Sequence, residues 1–388
     1  MPKKSTITPP TTQVSHAQLL PTMALNIGSS DLKALTDLAT SSQHLIAQFL
    51  ASLSSSTSDA TLPANPPNPL HVLRDSASLL KAQTTKLSLL LINKPFTPSA
   101  LVKVIREISA TCLPAMMSAV ELCVPEVWGN LLRQEVQGRV RSVMREMEVC
   151  MREVLDVARA EEVGGGKGKT KAGEPAKHNN RDTLASTGVV WEACDSVIEL
   201  ENVGIGGLAM RKAELYRDMI KDAIEELQEW GEDDAEVDED DFAGSDGEDD
   251  EDSDKDSIED IFSAANKLPK DRKDLKELLE SSTGNLKKIG MLYAALTKRR
   301  LKTFTSSVAG QKKNVQVLDD LMDNLKMISE TVDDLASAFY ELDSKEASTV
   351  IRACIDEAHK AITLVRLGWD GKEDEFTSWS GKWIEVVK

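Results

Sequence analysis

Aromatic residues and long apolar runs are both scarce in this 388-residue chain. Phe, Trp and Tyr together make up 4% of it, although strands are enriched in aromatic and β-branched residues. The longest apolar run, LSLLLI at 87–92, falls far short of the roughly 20 residues that a membrane-spanning helix needs. These shortages favour helices over sheets and predict a protein without a membrane span.

Cysteine and histidine are few and scattered, with five of each. The cysteines, at 112, 123, 150, 194 and 354, form no C-x-x-C pair, which disfavours a zinc site and a redox motif. Each lies within a helical pattern, so we expect buried, reduced thiols of a cytosolic or nuclear protein. No nucleophile elbow or HExxH motif occurs. The sequence therefore predicts no catalytic site, no metal and no cofactor.

One glycine-rich stretch, VGGGKGKT at 163–170, ends like a phosphate-binding loop. The P-loop pattern is G-x-x-x-x-G-K-[ST], preceded by a strand and followed by a helix. Here Val163 stands at the position of the first glycine, and a strongly helical segment precedes it. The stretch is therefore predicted to be a flexible Gly/Lys linker that binds no nucleotide.

Negative charge is concentrated in one segment. Of the chain's net charge of −18, the 18 acidic residues and one lysine between Glu232 and Asp260 supply −17. Such a block of like charge is typical of disorder, and it serves either as a solvated spacer, as a lure for basic proteins such as histone tails, or as a mask over a basic surface. Ser245, Ser253 and Ser257 each have an acid three residues downstream, as acid-directed kinases of the casein-kinase-II type prefer, so they are candidate phosphorylation sites.

Apolar residues recur at heptad-like spacing through most of the remaining chain. The spacing predicts helices near 31–53, 70–93, 97–123, 125–160, 184–200 and 207–230, and then over 275–296, 315–342 and 347–365. We expect Thr97 to cap the third of these, Pro114 to kink or break it, and the glycines of NVGIGG at 202–207 to form a helix–turn–helix joint. Loops interrupt the stripes sooner than in a long coiled coil. The predicted fold is therefore all-α, with two antiparallel helical bundles.

The predicted domain order follows the composition. A disordered tail covers 1–30, and an N-terminal bundle covers 31–230 with a flexible linker at 161–183. A disordered acidic segment covers 231–257, and a C-terminal bundle covers 258–388.

The cleanest apolar stripe lies on the helix at 315–342. Its central residues are either core residues or a partner-binding face, and the core interpretation is preferred because so continuous a stripe would be an aggregation hazard if it were exposed. The residues in question are Leu318, Leu325, Ile328, Val332, Leu335 and Phe339.

Two further features have competing interpretations. The cluster Lys298-Arg-Arg-Leu-Lys302 ends a helix, where cations suit the helix dipole, and this interpretation is favoured over a nuclear import signal or an Arg-x-Leu cyclin-docking motif. Phe376, Trp379 and Trp383 share one face of a short helix, which is expected to pack on its own bundle. The small number of aromatics and the lack of net positive charge disfavour direct nucleic-acid binding.

Three segments resemble the cyclin-D-binding, or GCIP-like, family. They are NKPFTPSALVKVIREISATCLPAMMSAVELC (93–123), VWEACDSVIELENVGIGGLAMRKAELYRDMIKDAIEELQEW (190–230) and VQVLDDLMDNLKMISETVDDLASAFY (315–340), with an acidic insert between the second and the third. The resemblance implies an all-helical protein of nucleus and cytoplasm. It further implies binding to D-type cyclins and helix–loop–helix transcription factors, and negative regulation of the cell cycle and of transcription.

The sequence thus predicts a non-enzymatic interaction protein. Two alternatives use the same features differently. A scaffold of the vinculin or talin type would use the helical stripes to link cytoskeletal components, and an acidic histone chaperone would bind basic proteins through 232–260.

Overall fold

The fold is that of a computed structural model, which describes residues 20–54, 64–164, 175–232, 268–269 and 271–387. Within these ranges the chain forms helices and the turns between them, with no strand. The prediction of an all-α fold is therefore confirmed for the described residues. The antiparallel order of the helices stays a prediction.

The chain divides into two compact units, which interleave along the sequence. Unit 1 comprises Met1–Leu122 and Val136–Glu201, and unit 2 comprises Cys123–Glu135 and Asn202–Lys388. Unit 1 holds helices α1 (Leu20–Ser52), α2 (Pro69–Ile92), α3 (Pro98–Glu107) and α4 (Leu113–Leu122). It also holds most of α5 (Pro125–Gly164) and the first part of α6 (Pro175–Glu232).

Local sequence signals account for several helix starts in unit 1. Asn68 caps α2 by accepting a hydrogen bond from the backbone N–H of Leu70 at 2.9 Å, and Pro69 occupies the first helical position. α3 begins at Pro98 as predicted, but the Thr97 hydroxyl is not its cap. That hydroxyl donates to the carbonyl of Pro95 instead. The fixed φ of proline at the first helical position is therefore the signal that starts this helix.

Pro114 neither breaks nor ends the third predicted helix. A π-helical turn at Ile108–Cys112 joins α3 to α4. Proline lacks an N–H and its ring clashes with the carbonyl four residues earlier, so a wider turn just before Pro114 accommodates both effects.

The stripe that the sequence predicts on α5 lies in the core of unit 1. Its seven residues are at most 7% exposed: Val136, Val140, Val143, Met147, Cys150, Val154 and Val157. α1 packs on α3, and α2 packs on α3 and α4. The four-and-three spacing of the apolar residues thus identifies the buried face correctly.

Unit 2 contains the remaining helices. They are α7 (Lys273–Leu296), α8 (Ser306–Ala309), α9 (Lys312–Tyr340), α10 (Ser344–Leu364) and α11 (Glu375–Val386). A second π-helical turn, Thr297–Leu301, ends α7. α9 and α10 pack against each other, and both pack on α7.

The predicted boundary between the bundles differs from the observed division. The sequence assigned 207–230 to the N-terminal bundle, whereas Ile220, Ile224 and Leu227 on this part of α6 are buried in the same core as Leu279 and Leu335. An apolar stripe shows that a face is buried but does not identify the helices that cover it. The division between the units therefore falls inside helices α5 and α6, each of which contributes to both units.

Parts of the predicted linker and tail are helical. Helical backbone covers 20–30, 161–164 and 175–183, because extending an existing helix adds one hydrogen bond for each residue that is fixed. Residues 1–19, 165–174 and 233–267 lie outside the described residues.

Candidate functional site

The stripe on α9 lies in the core of unit 2. Leu318, Leu325, Ile328, Val332, Leu335 and Phe339 are each at most 1% exposed. The stripe ends sooner than predicted, because α9 ends at Tyr340 and Leu342 takes a left-handed conformation with φ of 56°. None of the six residues is accessible to a partner in this conformation.

A polar contact fixes the centre of this stripe. The hydroxyl of Tyr293, on α7, donates to the backbone carbonyl of Leu325. Tyr293 is fully buried, and burial raises the pKa of its hydroxyl well above the usual value. The tyrosine therefore stays a neutral donor, and the helical carbonyl supplies the partner that its buried hydroxyl needs inside an apolar core.

Asp319, on the same helix, caps a different helix. Its carboxylate accepts hydrogen bonds from the backbone N–H groups of Asn130 at 2.6 Å and Leu131 at 3.0 Å. Gly129, immediately before them, has φ of 81° and kinks α5. A Cβ at Gly129 would lie 2.9 Å from an Asp319 carboxylate oxygen. The buried carboxylate and the glycine are thus one structural device, since a negative charge stabilises the start of a helix.

The glycines of NVGIGG at 202–207 have a structural role too. Gly204 has φ of 61° and interrupts the regular backbone of α6. A Cβ at Gly206 would lie 2.4 Å from the carbonyl oxygen of Phe304, so only glycine permits this close approach. The joint that the sequence predicts is therefore a kink within one long helix.

Arg300, in the basic cluster, is a buried side chain with all its donors used. The guanidinium makes two hydrogen bonds to the carboxylate of Asp374, at 2.7 and 3.0 Å, and donates to the carbonyls of Arg299, Val365 and Arg366. It also lies 4.4 Å from the centre of the Phe376 ring. Asp374 in turn caps α11 with its side chain. Arg300 therefore holds the C-terminal helix on unit 2.

This arrangement bears on one interpretation of the cluster, the Arg-x-Leu cyclin-docking motif. Leu301 is 1% exposed, so the Arg-x-Leu motif cannot reach a cyclin in this conformation. The aromatic face of α11 behaves as expected, because Phe376 and Trp383 are buried in their own unit at 1% and 7% exposure.

The cysteines show no sign of reactivity. All five are free and buried, and desolvation raises the pKa of Cys112 to about 11 and that of the other four to about 12. Thiols with such values stay protonated at neutral pH and are poor nucleophiles.

The described residues also contain no group of three or more His, Cys, Asp or Glu side chains placed to hold a metal ion. No helix in the described part of the chain is long and apolar enough to cross a membrane. The candidate phosphorylation sites Ser245, Ser253 and Ser257 lie outside the described residues, as do the acidic run beyond Glu232 and most of the VGGGKGKT stretch.

Comparison with known families identifies the family of this chain. A family model described as Grap2 and cyclin-D-interacting, N-terminal, matches residues 72–233, and the corresponding C-terminal model matches residues 246–360. The chain belongs to the Grap2 and cyclin-D-interacting family. The predicted resemblance is thus confirmed, and residues 234–245, which separate the two family regions, lie within the acidic segment.

A fungal relative covers nearly the same length as this member of the family. It is C22E12.18 of Schizosaccharomyces pombe, described as an uncharacterized protein, and it is 26% identical over 328 residues. The alignment covers 82% of this chain and 84% of the relative. The similarity therefore extends over most of both chains.

The exposed apolar side chains are features that periodicity did not identify. In unit 2 they include Leu215 and Met219 on α6, Met291 on α7 and Met327 on α9, with exposures between 39% and 62%. Met is an adaptable contact residue at protein interfaces, because its unbranched side chain can re-pack against different partners. For this cyclin-D-interacting family member, accessible helix faces are better candidates for a partner site than the buried stripe.

Proposed function

We propose that this protein is a non-enzymatic regulator that binds D-type cyclins or helix–loop–helix transcription factors through the outer faces of its helices. Membership of the cyclin-D-interacting family carries the proposal. We further propose that it acts in nucleus and cytoplasm and that it restrains cell-cycle progression and transcription.

The arrangement of the described side chains supports an interaction protein. The two buried charged side chains among them have structural partners: Arg300 pairs with Asp374, and Asp319 accepts from the start of the second segment of α5. The buried thiols are protonated at neutral pH. A helical unit of this kind recognises partners by presenting an exposed helix face or a groove to an amphipathic segment.

Binding of purified partners tests the proposal directly. The full chain should bind a purified D-type cyclin or a helix–loop–helix factor, measured by calorimetry, and should not bind an A-type cyclin under the same conditions. Equal binding of both cyclin classes, or binding of neither cyclin nor helix–loop–helix factor, would overturn the partner assignment.

A cellular measurement tests the direction of regulation. Overproduction of the full chain should increase the fraction of cells with unreplicated DNA, measured by flow cytometry. A Leu325→Asp variant, which places a charge in the core of unit 2, serves as the unfolded control. An unchanged or smaller fraction would contradict negative regulation.

A further inference from the structure

One face of α7 has an unusual combination of residues. Gly284, Lys287, Met291, Ala294 and Lys298 follow at intervals of three, four, three and four residues, so they lie on one side of the helix and its π-helical end. The opposite side carries Leu286, Ile289 and Tyr293, which are fully buried. Met291, at the centre of the outer face, is an apolar side chain that is 62% exposed.

The charge of this region is opposite to that of the protein. Residues 281–318 contain eight Lys or Arg and no Asp or Glu, in a chain of net charge −18. Arg299 and Arg300 are paired with Glu375 and Asp374. Lys287 and Lys298, in contrast, point outward at exposed positions on either side of Met291. The outer face of α7 is therefore cationic from Gly284 to its C-terminal end, whereas the exposed Glu277 and Glu280 precede this part on the same face.

The shape of the face suits close approach by another helix. A Cβ at Gly284 would meet no atom within 4 Å, and Ala294 is exposed. Small residues allow two helix axes to come closer, while the flexible Met291 side chain can adapt to apolar residues of a partner.

We propose that this outer face of α7 binds an acidic amphipathic helix of a partner protein. Met291 packs between apolar residues of that helix, and Lys287 and Lys298 pair with carboxylates beside them. A nucleic acid fits less well, because the face has no aromatic side chain on which a base could stack. The inference rests on the proposed function only in that the protein binds protein partners.

Binding of a designed probe to the full chain tests this surface. The probe is a labelled helical peptide of about 18 residues, with Leu at i, i+4, i+7 and i+11 and Glu on the flanking positions. Fluorescence anisotropy should show saturable binding that weakens with added salt. The single variant Met291→Asp should weaken binding by at least about tenfold. The double variant that combines Lys287→Glu and Lys298→Glu should do the same.

A matched variant separates this face from general effects. Met327 is 50% exposed on α9 in the same unit, so Met327→Asp introduces the same change elsewhere and should leave binding unchanged. All variants should keep the unfolding midpoint of the parent. No binding, equal loss with Met327→Asp, or equally tight binding of a peptide of Glu alone would overturn the proposal.

Two further outcomes are informative. If only a variant lacking residues 233–256 binds the probe, the chain's own acidic segment occupies the face, and the proposal of a partner helix fails. If the probe binds as expected but no D-type cyclin or helix–loop–helix factor does, the surface stands and the partner named under Proposed function is wrong.

Discussion

At the residue scale, the buried positions of α9 connect the sequence pattern to stability. Leu325 and Leu335 are fully buried, and Leu325 also offers its carbonyl to Tyr293. Met327 lies on the same helix between them but is half exposed. Leu and Met are both good helix formers. A difference in stability between substitutions at the buried and the exposed positions therefore reports on packing and not on helix propensity.

Truncation of the buried leucines should be costly. Leu325→Ala and Leu335→Ala should each lower the free energy of unfolding by about 2–5 kcal/mol, because each leaves a cavity in a packed core. Met327→Ala should change it by less than about 0.5 kcal/mol. Urea unfolding followed by circular dichroism measures all three. Unchanged stability of the leucine variants, with lost binding of a partner, would mean that the stripe opens to form the interface.

The Arg300–Asp374 pair makes stability depend on pH. The hydrogen bonds from Arg300 hold the pKa of the Asp374 carboxyl well below its usual range. A carboxyl with a lowered pKa in the folded state stabilises the protein above its unfolded pKa of about 4, and this contribution is lost as the pH falls below that value. Asp374→Asn should lower the free energy of unfolding by about 1–3 kcal/mol at pH 7.

The measurement is urea unfolding of both proteins at several values of pH. Asparagine can still cap α11, so the substitution removes mainly the charge that Arg300 needs. The difference between the two proteins should shrink steadily below pH of about 4. A difference that stays constant down to acid pH would show that the ion pair is not its cause.

At the element scale, glycine decides where the long helices bend. The first half of α5 contains two glycines, of which one bends the helix and the other lies in regular helix. Gly129 has a positive φ and no room for a side chain, whereas Gly138 is helical and a Cβ there would meet nothing within 4 Å. Spacing along the sequence does not distinguish the two.

Alanine substitutions at these glycines should therefore have effects of opposite sign. Gly129→Ala should lower the free energy of unfolding by about 2–4 kcal/mol, because it strains the backbone and displaces the Asp319 cap. Gly138→Ala should raise it by about 0.5–1 kcal/mol, because alanine is the better helix former. Chemical denaturation of the two variants checks this, and the kink would be dispensable if both were stabilised.

At the scale of the whole molecule, nearly all of the net charge belongs to residues 232–260, where the N-terminal family region ends and the C-terminal region begins. The sequence predicts that residues 232–256 form no part of the folded core, since the run offers little apolar area to bury. The basic stretch at 281–318 supplies the one alternative worth testing, which is that the acids pair with a face of unit 2.

Removal of residues 232–256 should leave helicity and melting temperature nearly unchanged. Circular dichroism of the full chain and of the deletion variant, at low and at high salt, measures both. Attraction between the segment and a basic face would be screened by salt. A large drop in melting temperature at low salt that disappears at high salt would show that the acids stabilise the folded units.

The sequence by itself determined the fold class, the buried face of most helices and the family. Apolar spacing depends on the 3.6-residue period of a single helix, so it identifies which side of α5 and α9 is buried from local information alone. The start of α3 at Pro98 is local in the same sense, because proline fixes its own φ.

Only the tertiary structure decided which helices share a core and which polar residues are structural. Asp319 caps a segment that lies almost 190 residues earlier in the chain, and Arg300 pairs with a carboxylate 74 residues later. The kink at Gly129, beside Asp319, and the close approach of Gly206 to Phe304 depend on the same kind of distant contact. No local pattern contains this information, because a side chain's spacing gives its direction from the helix but not the group that it meets there.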